Sequence, residues 1–248
     1  VSLLHWALDG VGPALLALAG LGCAPGASST CGDDVLDVGE ACLVEHDASL
    51  DEPLLTLGDV DGDGRTDAVV IVDRNARRVA VRRGKADGSF GPAGPGAIAS
   101  ALPGAAAVGD ADGDGAAEVV LWWPSSDDVG EICGHALAPG GTLTRLWCHA
   151  ASVPAGMSSR LVIGALGPAG EAGLAAWAQG RAQVVIDPAG AATETWLDLP
   201  ITRDGTIPLE VADLDGDGRD ALLWIAEARL EQHEAPWGAP ASTEVPDA

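Results

Sequence analysis

The chain has 248 residues, 47% of them apolar, and a formal charge of −24 from 37 acidic and 13 basic side chains. That apolar share suffices for the core of one or two domains and excludes disorder along the whole length. The strongly negative field excludes nucleic acid and anionic lipid surfaces as partners and makes cations the natural ones.

The first residues read as an address. "VSLLHWALDG" leads into the apolar stretch "VGPALLALAGLG" and then Cys23, which is too short to span a bilayer and has the length of a signal-peptide core. Its end, "LAGLGC", resembles the processing site of bacterial lipoproteins, although no Lys or Arg precedes it and Gly20 stands where Leu is usual. The resemblance implies that Cys23 becomes a lipidated first residue. Residues 1–23 are therefore expected to be a lipoprotein-type or plain secretory signal, with a buried N-terminal strand or helix as the bland alternative. On this reading the protein is secreted or held at the bacterial cell envelope, as an outer-membrane lipoprotein. Its membrane contact is then only the lipid on Cys23.

Residues 24–50 read as a short cysteine-containing linker. Without Cys23, four cysteines remain, at positions 31, 42, 133 and 148, and an even number in an exported chain suggests two bridges. Pairing Cys31 with Cys42 and Cys133 with Cys148 is the simplest of the three connectivities. "CGH" from Cys133 and "CH" from Cys148 also offer two thiolates and two imidazoles, His135 and His149, to a zinc ion. Neighbouring strand residues point to opposite faces, however, so Cys148 and His149 do not readily converge on one ion.

The remainder, residues 51–248, is repetitive. An acidic loop occurs as "GDVDGDGRTDAVVIV" from Gly58, "GDADGDGAAEVVLWW" from Gly109 and "ADLDGDGRDALLWIA" from Ala212. Between the last two, "GALGPAGEAGLAAWA" from Gly164 keeps the small and apolar positions while every acidic ligand position has been replaced. Asp59, Asp110, Ala165 and Asp213 are then equivalent and stand about fifty residues apart, the period of propeller blades. In the unit that starts near residue 54, "LLTLGDV", "AVVIV" and "RRVAVRR" read as strands. The Gly- and Pro-rich "GKADGSFGPAGPG" that follows reads as a turn and excludes a helix. Units starting near 104, 160 and 207 repeat the pattern with "EVVLWW", "EICGHAL" and "TLTRLWCHA", with "LAAWAQ", "AQVVID" and "TETWLDL", and with "ALLWIA" and "RLEQHEA". Four short antiparallel strands in each of about four units predict an all-β chain folded as a β-propeller. The sequence leaves open whether the ring closes with four blades, stays open or is completed by a second chain.

The pattern D-x-D-G-D-G-x-x-D at Asp59, Asp61, Asp63 and Asp67, entered through "LGD" and left through "AVVIV", resembles the FG-GAP repeat, also called the VCBS repeat. The phrase "DGSFGP" from Asp87 is similar to the one that closes many bacterial copies, and the resemblance covers roughly residues 50 to 235. Upstream, "CGDDVLDVGEAC" from Cys31 resembles the cysteine-rich stretch that often precedes such repeats in bacterial surface proteins. Integrin α propellers are built from the same unit, so the resemblance implies an adhesion-type scaffold.

The chemistry of the loop points the same way. Ca²⁺ takes six to eight oxygens at roughly 2.3–2.6 Å, and alternating Asp residues on a tight turn converge on one point. The candidate ligands of the first loop are Asp59, Asp61, Asp63, the Arg65 carbonyl and Asp67. Those of the second are Asp110, Asp112, Asp114, Ala116 and Glu118, and those of the fourth unit are Asp213, Asp215, Asp217, Arg219 and Asp220. The second loop keeps the full set with a longer last ligand, Glu118, and in the fourth unit Ala221 occupies the place of Asp67, so the expected order of affinity is first loop, second, fourth. An EF-hand or dockerin loop would need a bidentate Glu at its twelfth position; Val70, Leu121 and Trp224 stand there instead. A solvated turn without metal is the bland reading, since Asp and Gly also favour plain turns, but four carboxylates in one short loop repel without a cation.

No His, Lys or Ser accompanies the acids, and neither a G-x-S-x-G turn nor a phosphate-cradling loop appears. The ions are therefore expected to be structural and the protein not to be an enzyme. The leading expectation is an exported, calcium-stabilised scaffold that presents loops to an unknown protein or glycan ligand. A lectin is the first alternative, because eight Trp recur along the chain, though alternation places most of them in the core. The second is a non-catalytic accessory domain of an exported hydrolase, by analogy alone.

Overall fold

The computed structural model describes residues 16–17, 47–48, 50, 52–98, 102–123, 130–151, 159–178, 180–199, 209–226, 229–233 and 241–244. Cys23, Cys31 and Cys42, with the lipid anchor and the first bridge expected of them, lie outside the described residues. Of the expected signal segment only β1 (Leu16–Ala17) is described, and it pairs antiparallel with β2 (Asp47–Ala48).

The rest is four antiparallel sheets, each a meander, which we call blades in chain order. Blade 1 contains β3 (Leu54–Gly58), β4 (Asp67–Asp73), β5 (Arg78–Gly84), β6 (Phe90–Ala93) and β7 (Ala97–Ile98). Here β6 and β7 share the outermost position, since both pair with β5, at opposite ends of it. Blade 2 contains β8 (Ala105–Gly109), β9 (Glu118–Trp123), β10 (Gly130–Leu137) and β11 (Leu143–Ala151). Blade 3 contains β12 (Ser159–Gly164), β13 (Gly173–Ala178), β14 (Arg181–Ile186) and β15 (Thr193–Asp198). Blade 4 contains β16 (Leu209–Ala212), β17 (Ala221–Ala226), β18 (Arg229–His233) and β19 (Ala241–Glu244). The architecture is the expected four-bladed propeller, with three four-stranded blades and a first blade whose fourth position is shared by two short strands, and the described residues include no helix. One detail differs: Phe90–Ala93, inside the expected turn, is a strand. Its place at the sheet edge tolerates Pro92, which has no N–H to give to a further neighbour.

The second strand of each blade explains the packing. Its residues alternate between faces, and both faces are covered, so the strand reads as an unbroken apolar run rather than an alternating one. In β9, Val119 and Leu121 join Val69, Val79 and Val81 of blade 1, while Val120 and Trp122 join Leu174 and Ala176 of blade 3. A third cluster places Ala175 and Trp177 of blade 3 with Leu222 and Trp224 of blade 4. The core is therefore three layers, one in each joint between consecutive blades. The tryptophans expected inside are inside: Trp122, Trp177 and Trp224 are at most 2% exposed.

The innermost strands β3, β8, β12 and β16 touch in series, and among the described residues no contact of that extent joins β16 back to β3. Glycine sets their approach. A Cβ on Gly58 would fall 2.5 Å from that of Val108, one on Gly109 would fall 3.1 Å from Ile163 and one on Gly164 would fall 3.2 Å from Val211. At the corresponding place in blade 4 stands Ala212.

Cys133 and Cys148 face each other across β10 and β11 and are joined in a disulfide. The bond excludes the zinc arrangement, and His135 instead lies with Nδ1 3.1 and 3.3 Å from the carbonyl oxygens of Cys133 and Val119.

Two outcomes are expected in urea unfolding. Gly58→Ala should lower stability by about 1–3 kcal/mol, because the first joint has no room for the methyl group. Reducing the Cys133–Cys148 bridge, which closes a span of 15 residues, should remove about 3 kcal/mol in the chain-entropy account.

Candidate metal centres

Each acidic loop joins the innermost strand of a blade to its second strand. The first Asp of the loop organises it. Asp59 accepts the N–H groups of Gly62 and Gly64 at 2.8 Å each. Asp110 accepts those of Gly113 and Gly115 at 2.7 and 2.9 Å, and Asp213 those of Gly216 and Gly218 at 2.7 and 3.0 Å. All six glycines have φ between 73° and 89°, a left-handed backbone that a Cβ would strain. The second residue of each loop is a plug. Val60, Ala111 and Leu166 are at most 5% exposed and belong to the clusters of the first, second and third joints, whereas Leu214 of blade 4 is 51% exposed.

The expected ligands converge to different degrees. In the second loop, oxygens of Asp110, Asp112, Asp114 and Glu118 all lie within 4.8 Å of one another. The first loop brings together Asp59, Asp61 and Asp67, while Asp63 turns to Arg65, whose Nη1 lies 2.7 Å from its Oδ2. The fourth unit brings together Asp213, Asp215 and Asp217. Its Asp220 reaches across the joint to the third loop, whose acidic ligand positions are replaced, where the Ala165 N–H donates to Oδ2 at 2.7 Å and the Asp220 N–H donates to the Ala165 carbonyl at 2.9 Å. Arg65, Ala116 and Arg219 are fixed through their own N–H groups, which donate to Asp63, Asp114 and Asp217 at 2.9, 2.8 and 2.9 Å.

The last acid of the first two loops is buried and latches the loop to its blade. Asp67 accepts the Val60 N–H at 3.0 Å and the Gly84 N–H at 2.7 Å, and it is 1% exposed. Burial raises its pKa above the ordinary aspartate value, against the pull of those two N–H groups. Glu118, also 1% exposed, accepts the Ala111 N–H at 2.9 Å. Burial first, and then the charges of Asp112, Asp110 and Asp114, push its pKa up to about 7. Hard oxygen donors gathered around one point, with one of them held near neutrality by its neighbours, fit a divalent cation such as Ca²⁺.

Two contributors escaped sequence reasoning. Arg83, on β5, sets its Nε 3.2 Å from Asp61 Oδ2. Asp187, at the end of β14, adds its negative charge to those around Asp112. The first was signalled only by the basic end of "RRVAVRR", and the second by nothing local. Between blades 2 and 3 the loop face carries a recess of about 740 Å³, lined by Asp110, Asp112, Ile163, Glu171 and Asp187 among others. Trp147 is 9% exposed, Trp123 and Trp196 are half-buried, and Arg181 stacks over Trp196 with Cζ 4.7 Å from the ring centroid.

Fold and loops together define a β-propeller whose blade turns are acidic. Residues 59–121, from the first loop through most of β9, match the family model of the FG-GAP-like repeat. No curated protein matches the chain. Among solved structures, an Agrocybe aegerita lectin described for specific recognition of non-reducing terminal N-acetylglucosamine is 17% identical, with a TM-score of 0.49. The match covers 75% of this chain and 50% of that one, so the chain spans half the length of the lectin.

In chelator, Glu118 should give stability a distinctive pH dependence. Its folded pKa of about 7 lies above its ordinary 4.5, so the folded state holds the proton more tightly than the unfolded state. The resulting stabilisation is present below pH 4.5 and is lost as pH rises through 7, by about 3 kcal/mol. Denaturation at several pH values should show that slope, and Glu118→Gln should abolish it.

Proposed function

We propose that the chain is a non-catalytic, calcium-stabilised scaffold, exported from the cell, whose loop face presents a ligand site for a protein or a glycan. The observation that carries the calcium clause is the second loop, where four carboxylates meet around one point. Bound there, the ion supplies positive charge that these side chains otherwise lack. Asp110, Asp112, Asp114 and Glu118 would hold it, as would Asp59, Asp61 and Asp67 in the first loop and Asp213, Asp215 and Asp217 in the fourth unit. Because the first two acidic loops continue into the plug of a joint, Val60 or Ala111, their acids act on neighbouring blades and not merely on a turn.

Export is supported by the Cys133–Cys148 bridge, which belongs to an oxidising compartment. The ligand-presenting role is supported by the recess between blades 2 and 3, which is the size of a small-molecule or side-chain site. Its acidic lining favours a ligand with positive charge. A glycan ligand would rely on the half-buried Trp123 and Trp196, since the other described tryptophans are core.

Thermal melts with millimolar CaCl₂ and after thorough chelation test the proposal. Calcium should raise the midpoint by several degrees, as ligand linkage requires, and Asp110→Asn should remove most of the gain. An unchanged midpoint on chelation would sink the calcium clause.

A further inference from the structure

Three arginines, unequally distributed among the loops, engage the carboxylates where a cation would lie. In the first loop Arg65 holds Asp63 at 2.7 Å, and Arg83 holds Asp61 at 3.2 Å. In the fourth unit Arg219 places Nε 2.6 Å from Asp217 Oδ2 and pairs with it through Nη2 as well. The second loop is built differently. Ala116 stands where the others have Arg65 and Arg219. Ala68 is opposite Arg82 and Val119 is opposite His135, so the register sets Ala136 in the place of Arg83. The charges that the next blade brings to this side are of the wrong sign: Asp187 acts on Asp112, and Glu171 lines the same recess as Asp110 and Asp112.

We propose that Arg65, Arg83 and Arg219 are internal counter-charges that set the order in which the loops take calcium, with the second loop filling first and the other two at higher concentration. The inference rests on the calcium reading above and concerns the chain's own residues. A guanidinium offers several fixed N–H donors and forms its strongest bonds with carboxylates. Where it is engaged, it neutralises part of the field that draws a cation in and occupies lone pairs the cation needs. Among the described residues, the first loop has four acids offset by two arginines, the second four acids offset by none, and the fourth unit three converging acids offset by one. This reverses the expected order of the first and second loops, which differ in ligand set only by the longer last acid, Glu118, of the second. Arg65 and Arg83 are each about half exposed, at 49% and 47%, so their effect is modest, up to about fivefold in affinity for each.

Calorimetric titration of the full chain with CaCl₂, after chelator treatment, tests this. The wild type should show one tighter binding event and weaker ones. Asp112→Asn should remove the tighter event and leave the weaker ones, since the amide oxygen still accepts the Asp114 N–H that Asp112 accepts at 3.2 Å. Arg65→Gln combined with Arg83→Gln should strengthen one weaker event by about tenfold, and Arg83→Lys alone should keep the wild-type value because the charge stays. Circular dichroism of each variant in chelator confirms the fold. If Asp112→Asn leaves the tightest event in place, or if the double glutamine variant leaves every affinity unchanged, the counter-charge inference is overturned while calcium binding stands. If no calcium binds and no melt shifts, the inference falls together with the reading beneath it.

Discussion

A four-stranded sheet whose second strand is apolar on both faces cannot be stable alone, because whichever face packs leaves the other in water. Every other feature of this chain follows from how that second face is covered. Stacking sheet on sheet covers it, and three joints between four blades supply three apolar layers in place of one central core. The inner strands must then approach closely, which is why Gly58, Gly109 and Gly164 stand where a side chain would meet the next blade. The same constraint explains why the described tryptophans are mostly structural: a ring such as Trp122 or Trp177 fills the wide part of a joint.

The acidic loops are part of that stacking, not an ornament on it. In each of the first three units the loop begins at the glycine of the inner strand and puts its second residue into the joint. In the first two it ends on a buried acid, Asp67 or Glu118, that ties the loop back to its own blade. Whatever neutralises these acids acts on the joint beside them. The site and the fold are therefore one system, and the charge balance of a loop is a statement about the rigidity of two blades.

Much of this was legible in the residues. The recurrence of Asp59, Asp110 and Asp213, with the eroded copy at Ala165, fixed the number of units and placed their strands. Alternation around Trp122 and Trp123 required at least one of the pair to be buried, and Trp122 is. What could not be read were relations between side chains distant in sequence. Nothing near Asp220 indicates that its carboxylate crosses to Ala165, because a loop pattern does not say which way a side chain turns. Nothing near Asp61 indicates Arg83, since that pairing depends on the register of β4 and β5. The acids alone, with the longer Glu118 in the second loop and Ala221 in the fourth unit, ranked the loops, and they do not show which of them an arginine engages.

The Asp220 clasp has a consequence for the molecule as a mechanical object. The third loop, whose acidic ligand positions are replaced, receives a carboxylate from the following blade and returns a carbonyl to it, so the joint between blades 3 and 4 is bridged by hydrogen bonds within the polypeptide itself. The two joints before it carry loops crowded with like charges. The joints of this molecule thus differ in kind: one is fastened by the chain, and two leave their acids facing one another.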